Sequence, residues 1–557
     1  MKADQLQGCY DFIIVGAGSA GCRLAEKLSS HADLEVLLLE AGKSPPDFTA
    51  IPLMTRLSFE TDVVWRYRVE PMENAFKNKA GQPQSFIGGR VLGGGSTINL
   101  MNYERGDLTD YDRWESEFGA TGWNGRSMFD SFIRDENNLD YSISGKDHGR
   151  KGDLKVSSSY DTNILKAFFS AAQQQGYEVR DTGNGSTEGV YRMQATIDEN
   201  GRRSSSYTAF IEKHWGRRKN LHILTQAIAT RVLFVRGETN ETVAKGLELL
   251  HDNRSRRVCA RKEIILSAGA IETPHLLMVS GIGPKEHLEQ MEIKVLADLP
   301  VGRNLQNHVA VGGIEAIINS TSSYEIPSLN DLRSLREWYK FGQGPFTSPF
   351  GTHLGVGFFK MNKSDTTPDI EIMLQGVSDD TPCDSQQTTR FNATFSSLAI
   401  LMHPKSRGSV ELRSRDALSP PRLRLNYFDH EDDLEILAQG AKFSYDLLLS
   451  EAFRSIGVTP KQPVLEDCAD KEFNSLEYWK CAVAINTVSM GHPVGTCRMG
   501  SASRQDTVVD PDLRVKNVKN LRIADCSIMP TLNTGHTNAP AIAIGARAGD
   551  IILRDYK

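Results

Sequence analysis

The sequence has no apolar run long enough to cross a bilayer. Its longest, such as Phe12 to Val15 and Val36 to Leu39, are of strand length, whereas a spanning helix needs about 20 apolar residues. Excess positive charge is also missing. A formal net charge of -6 and a pI near 6.2 leave no basic stripe for a phosphate backbone, and no nucleic-acid partner is expected. The eight cysteines, at 9, 22, 259, 383, 468, 481, 497 and 526, form no CxxC pair and no zinc spacing, so no metal site is expected. They read as isolated buried thiols, with Cys468 and Cys481 as the one plausible local disulfide. Residues 1–8, MKADQLQG, lack the basic start and apolar core of a secretory leader. Six N-x-S/T triplets, starting at Asn184, Asn240, Asn253, Asn319, Asn362 and Asn392, point the other way, to a glycosylated, secreted chain supplied without its leader. A cytoplasmic address is the alternative.

What is there is an ordinary globular composition, 39% hydrophobic and 24% charged. At about 150 residues per domain, 557 residues give three to four domain-sized units. With no low-complexity linker to separate beads, two interleaved lobes are expected. Tyr10 to Val15 reads as a buried strand that runs into Gly16, Ala17, Gly18, Ser19, Ala20 and Gly21, then into the helical pattern Cys22 to Leu28. Strand, glycine-rich turn and helix in this order make a pyrophosphate cradle. Gly16 permits the tight turn, Gly18 lets backbone approach the phosphates, Gly21 allows close helix–strand packing, and the helix N-terminus presents free N–H groups. A second buried strand, Glu35 to Leu39, ends in Glu40, an acid placed for a ribose 2′-hydroxyl. This motif alone does not separate NAD from FAD.

Three further segments stand out. Gly89, Arg90, Val91, Leu92, Gly93, Gly94, Gly95, Ser96, Thr97, Ile98 and Asn99 are too glycine-dense for a core strand and read as a loop that lies against a ligand. The strand Glu263 to Ser267 leads into Ala268, Gly269, Ala270, Ile271, Glu272, Thr273 and Pro274 and ends its following apolar stretch at Ser280 to Gly283. Near the C-terminus come His492 to Thr496, Asp525, and Asn533 to Pro540. Together these blocks resemble the glucose-methanol-choline (GMC) family of FAD oxidoreductases over essentially the whole chain. Gly342 to Pro349 and Leu299 to His308 lean towards its arthropod branch.

The resemblance implies a mixed α/β fold: a Rossmann-like FAD-binding domain (residues 1–160, 201–310 and 485–557) interleaved with a substrate domain on a six-stranded antiparallel sheet (161–200 and 311–484). It implies that Gly16, Gly18, Gly21 and Glu40 hold the ADP half of FAD, with Ser19, Ala20 and Ala41 also binding the cofactor. Arg90, Gly94, Gly95, Asn99, Gly269 and Asn538 would lie along the cofactor, Ala229 at the adenine, and Asp525 at the ribityl and pyrophosphate region. Some family members attach FAD through a histidine one position before the counterpart of Asn99. Ile98 stands there, so non-covalent FAD is expected.

Alcohol oxidation removes a hydroxyl proton and a carbon-bound hydride, and the first needs a side chain with a pKa near neutrality. By resemblance His492 is that base and His536 the second catalytic residue, just before a small-residue helix that begins near Asn538, Ala539 and Pro540. A lone histidine is more often a satisfied loop residue; matching family segments reverse that preference. Cys497 reads as core. Trp338, Tyr339, Phe341, Phe346, Phe350 and Phe358 could wall a substrate pocket, although such residues are more often core. The expected activity is FAD-dependent oxidation of a hydrophobic alcohol, aromatic alcohols included, or of a cyanohydrin, with O2 or another acceptor reoxidising the flavin. A cyanohydrin lyase using the same histidines, or a catalytically inactive flavoprotein, are the alternatives.

Overall fold

The computed structural model describes residues 6, 8–79, 84–159, 161–318, 331–348, 355–376 and 393–556. Asn319, Pro349, Phe350, Cys383 and Asn392 lie outside the described residues. The centre of the larger lobe is an eight-stranded sheet. Its parallel part runs Leu221–Leu224, Val36–Leu39, Cys9–Val15, the second half of Arg254–Leu266, and Leu521–Ile523. Ile13, Ile14, Leu37, Leu38, Ile264 and Ile265 are fully buried. Both faces of a parallel sheet are covered, so its strands must read as continuous apolar runs, and each such side chain contributes about 1.5–3 kcal/mol by leaving water. Helix Ser19–Ser29 packs on this sheet beside helix Asn538–Asp555, and Gly545 permits the contact: a Cβ there would lie 2.2 Å from the Ala20 carbonyl.

The smaller lobe is built on a six-stranded antiparallel sheet of Gly355–Phe359, Ile370–Gln375, Ala393–Leu401, Val309–Ile318, Val458–Pro460 and Thr487–Ser489. This is the mixed α/β arrangement expected. A hairpin of Val64–Val69 and Gln84–Gly89 reaches across to strand Arg422–Arg424. Cys468 and Cys481 are joined, as expected. Cys9 and Cys259 are joined as well, which corrects the reading of them as isolated thiols. They are 250 residues apart, and only the parallel pairing of their strands brings them opposite each other. Cys22 and Cys497 are free and buried.

Candidate active site

A single cleft of about 640 Å³ runs from the carboxyl ends of the parallel strands to the inner sheet of the smaller lobe, the place where ligands sit in open α/β sheets. Val15 ends in Gly16, Leu39 in Glu40, Leu266 in Ser267 to Gly269, and Ile523 in Ala524 and Asp525. Three long helices start at its wall, at Ser19, Gly269 and Asn538, and none has a side-chain cap. Helices such as Leu108–Phe118, Asn163–Gln174 and Leu476–Ile485 do carry one, from Asp107, Thr162 and Ser475. Uncapped first turns leave N–H groups and the positive ends of helix dipoles facing the cleft, which suits a pyrophosphate.

The glycines fit the same occupant. Cβ atoms on Gly18, Gly95 and Gly269, all on the cleft wall, would meet no protein atom within 4 Å. These are cradles that a side chain would fill. Gly21 differs: its Cβ would lie 2.0 Å from the Gly16 carbonyl, so it serves packing and does not line the cleft. Gly16 and Gly94 have φ of +102° and +52°, a region that favours glycine. Of the predicted cofactor residues, Gly21 and Arg90 alone are off the cleft wall; Gly16, Gly18, Ser19, Ala20, Glu40, Ala41, Gly94, Gly95, Asn99, Ala229, Gly269, Asp525 and Asn538 all line it. The Arg90 guanidinium stacks over Trp65, 4.5 Å from the ring centre.

Polar groups on the wall are organised in advance. Glu40 accepts from the Ala17 N–H (3.0 Å) and the Gly42 N–H (2.8 Å), while burial pushes its carboxyl up to about 7. Asp525 accepts from the N–H groups of Gly269 and Ser527 and from the Thr273 hydroxyl, and burial raises it too. Ser19 donates to Asn538 Oδ1 at 2.7 Å, tying two helix starts together. Sequence reasoning missed Arg203. It is buried and pulled down to about 9 by burial, and it donates to the carbonyls of Ser96 and Asn99 and to Asn99 Oδ1, which pins the glycine-rich loop.

At the far end His492 and His536 meet: His492 Nε2 lies 3.1 Å from His536 Nδ1. Two partners were not foreseen. His308 Nδ1 lies 2.9 Å from His492 Nδ1, and His308 Nε2 lies 3.1 Å from the Met402 carbonyl. A carbonyl only accepts, so His308 Nε2 carries a proton. Burial takes His308 down to about 3, so its ring is neutral and Nδ1 must accept. His492 therefore carries its proton on Nδ1 and turns the lone pair of Nε2 towards His536 Nδ1 on the cleft wall. Burial, with His536 and His308 beside it, holds His492 well below the usual histidine range, lower than the near-neutral value expected from sequence. Asn307 accepts the His492 N–H and donates to the Ser489 hydroxyl, fixing the loop.

Burial alone would strip His536 of its proton, but Glu104 and Glu371 outweigh it and raise His536 to about 9. Glu371 Oε1 lies 3.3 Å from His536 Nε2, and Asn102 Nδ2 lies 2.9 Å from it. One signal for Glu371 was available: an acid inside the apolar strand Ile370–Gln375 is costly unless it is partnered. The histidine end of the cleft is walled by Leu398, Val488 and Met490, and the hairpin side by Phe59, Trp65, Tyr67 and Phe86. None of the aromatics suggested from sequence, among the described residues, lines it. Trp338 and Phe346 pack with Leu53, Phe358 packs with Tyr191 and Met373, and Tyr339 and Phe341 are exposed.

Comparison with known proteins identifies the family. The family model described as GMC oxidoreductase matches residues 10–310 with its N-terminal part and 404–545 with its C-terminal part. A glucose dehydrogenase [FAD, quinone] of Drosophila melanogaster is 33% identical over 98% of this chain and 87% of its own. An ecdysone oxidase of Bombyx mori is 31% identical over 98% of this chain and 82% of its own. The crystal structure of a pyridoxine 4-oxidase from Mesorbium loti superposes with a TM-score of 0.83 at 28% identity, covering 98% of this chain and 99% of that one.

Proposed function

The chain belongs to the GMC oxidoreductase family of FAD enzymes, and from that premise we propose that it oxidises a hydrophobic alcohol to its carbonyl, with His492 as the base. The observation that carries this reading is the His308–His492–His536 chain, which leaves one unprotonated nitrogen, His492 Nε2, facing the cleft beside a protonated neighbour. A substrate hydroxyl that displaces the direct contact between His536 Nδ1 and His492 Nε2 gives its proton to His492 Nε2, while His536 donates to the same oxygen and stabilises the charge that develops on it. Bound along the glycine cradle, FAD supplies the acceptor for the hydride lost from the alcohol carbon. Leu398, Val488 and Met490 exclude water and favour an apolar substrate body.

Gly16, Gly18, Ser19 and Ala20 are assigned to the pyrophosphate, Glu40 and Ala41 to the adenosine ribose, Ala229 to the adenine, and Gly94, Gly95, Asn99, Gly269, Asp525 and Asn538 to the flavin half. Ile98 is buried and has no nucleophile, which supports non-covalent attachment. Acid precipitation should then release free FAD into the supernatant; flavin left in the pellet would contradict it. Two disulfides and the exposed Asn184, Asn240, Asn253 and Asn362 support an oxidising, secretory address. The activity itself is tested by mixing holoenzyme anaerobically with apolar, aryl and sugar alcohols. The flavin should bleach, fastest with the apolar and aryl members, and turnover of a cyanohydrin without bleaching would point instead to a lyase.

A further inference from the structure

Behind His536 two carboxylates share one buried pocket. Glu371 enters it from strand Ile370–Gln375. Glu104, 3% exposed, enters from the segment that follows the glycine-rich loop. One oxygen of each and one ring nitrogen of His536 lie within 4.8 Å of one another. Glu104 Oε2 accepts the His536 backbone N–H at 2.9 Å and lies 2.5 Å from where a Cβ on Gly535 would be, so it grips the turn that presents His536. Its Oε1 has no well-formed hydrogen bond and faces Tyr191 and the Glu371 charge. Two like charges buried side by side are costly unless a cation or a proton compensates them.

We propose that Glu104 is a positioning residue which, together with Glu371, keeps His536 as an imidazolium and thereby reserves the role of base for His492. The inference rests on the alcohol-oxidising reading of this site. Its geometric ground is the pair of contacts His536 makes. Nδ1 must donate to the lone pair on His492 Nε2, and Nε2 must donate to Glu371 Oε1. Only a ring protonated on both nitrogens does both at once. Asn102 Nδ2 lies 2.9 Å from His536 Nε2, and the imidazolium requires this amide to be reversed, so that Oδ1 accepts from His536 Nε2 and Nδ2 takes the position that has no partner. The other groups facing His536 agree. His492 and His308 are held neutral, Tyr191 and Asn102 carry no charge, and His403 lies beyond Thr534, paired with Asp110. Among the described residues no other fixed cation is placed to compensate the carboxylates; burial with Glu371 beside it raises Glu104 to about 7, and above that pH both carboxylates are charged and the proton that compensates them is the one His536 holds.

The test is a ring-nitrogen NMR titration of holoenzyme labelled at histidine, with His536→Asn to assign the signal. In the wild type the His536 ring should stay charged through neutrality and lose its charge near pH 9. Glu104→Gln keeps an acceptor for the His536 N–H but removes the charge. It should lower that midpoint by at least about one pH unit, a tenfold loss of proton affinity, and move the high-pH limb of anaerobic flavin reduction by the same amount. Glu104→Asp, which keeps the charge, should stay near the wild type, and it carries the comparison if Glu104→Gln does not fold. A His536 ring that is neutral at neutral pH in the wild type, or an unchanged midpoint in Glu104→Gln, overturns the proposal. If no alcohol bleaches the flavin, the underlying reading fails instead, because the titration needs no turnover.

Discussion

At the scale of single residues, two carboxyls with the same upward shift behave differently because of what surrounds them. Glu104 sits beside a second carboxylate and an imidazolium, whereas Glu40 has two backbone N–H donors and faces the cleft. The Glu40 carboxyl, raised to about 7 by burial, is mostly protonated below that pH in the free protein. Ribose hydroxyls donate best to the ionised form, so FAD affinity should rise as pH increases towards about 7 and level off above it. Equilibrium dialysis of apoprotein across this range checks it. Glu40→Gln should flatten the dependence and weaken retention, with the rate per bound flavin little changed. Normal FAD content in Glu40→Ala would remove the residue from the ribose site. His492 was legible as a candidate from its segment, but its low proton affinity was not, because that comes from burial and from the neighbouring His536 and His308, the latter 184 residues away in sequence.

At the scale of elements, the strand–turn–helix unit does two jobs that substitution can separate. Gly18 has an ordinary φ of -79° and open space where a Cβ would go. Gly18→Val should leave apoprotein stability within about 0.5 kcal/mol of the wild type, yet weaken FAD binding at least about tenfold by filling the pyrophosphate cradle. Gly21→Val drives a side chain into the Gly16 carbonyl and should prevent folding. Thermal melting of the apoproteins and fluorescence titration with FAD distinguish the two outcomes, and similar melting losses in both variants would contradict the division. The parallel core was legible because continuous apolar runs ended in glycine or acid at Val15–Gly16 and Leu39–Glu40. The aromatic wall was not. Trp65, Tyr67 and Phe86 reach the cleft only because the Val64–Gly89 hairpin folds over it, and no local period in the sequence encodes that docking.

At the scale of the whole molecule, one end of the cleft lies at the carboxyl ends of the parallel strands and the other at the histidines, and its wall is drawn from segments as far apart in sequence as Gly16 and Asn538. Disulfides stabilise this arrangement without entering the cleft. Cys468–Cys481 closes a loop of 13 residues, for which chain entropy predicts about 3 kcal/mol. The double Cys468→Ala, Cys481→Ala variant should therefore melt earlier while retaining FAD, and loss of flavin without a change in melting would contradict that separation. The central claim is that His492 takes the hydroxyl proton, and single-turnover flavin reduction under anaerobic conditions tests it most directly. Wild-type holoenzyme should reduce at a rate that is flat through neutrality and falls near pH 9 as His536 loses its proton. His492→Ala should hold its FAD and reduce it about two to four orders of magnitude more slowly, and reduction at the wild-type rate in that variant would contradict the account.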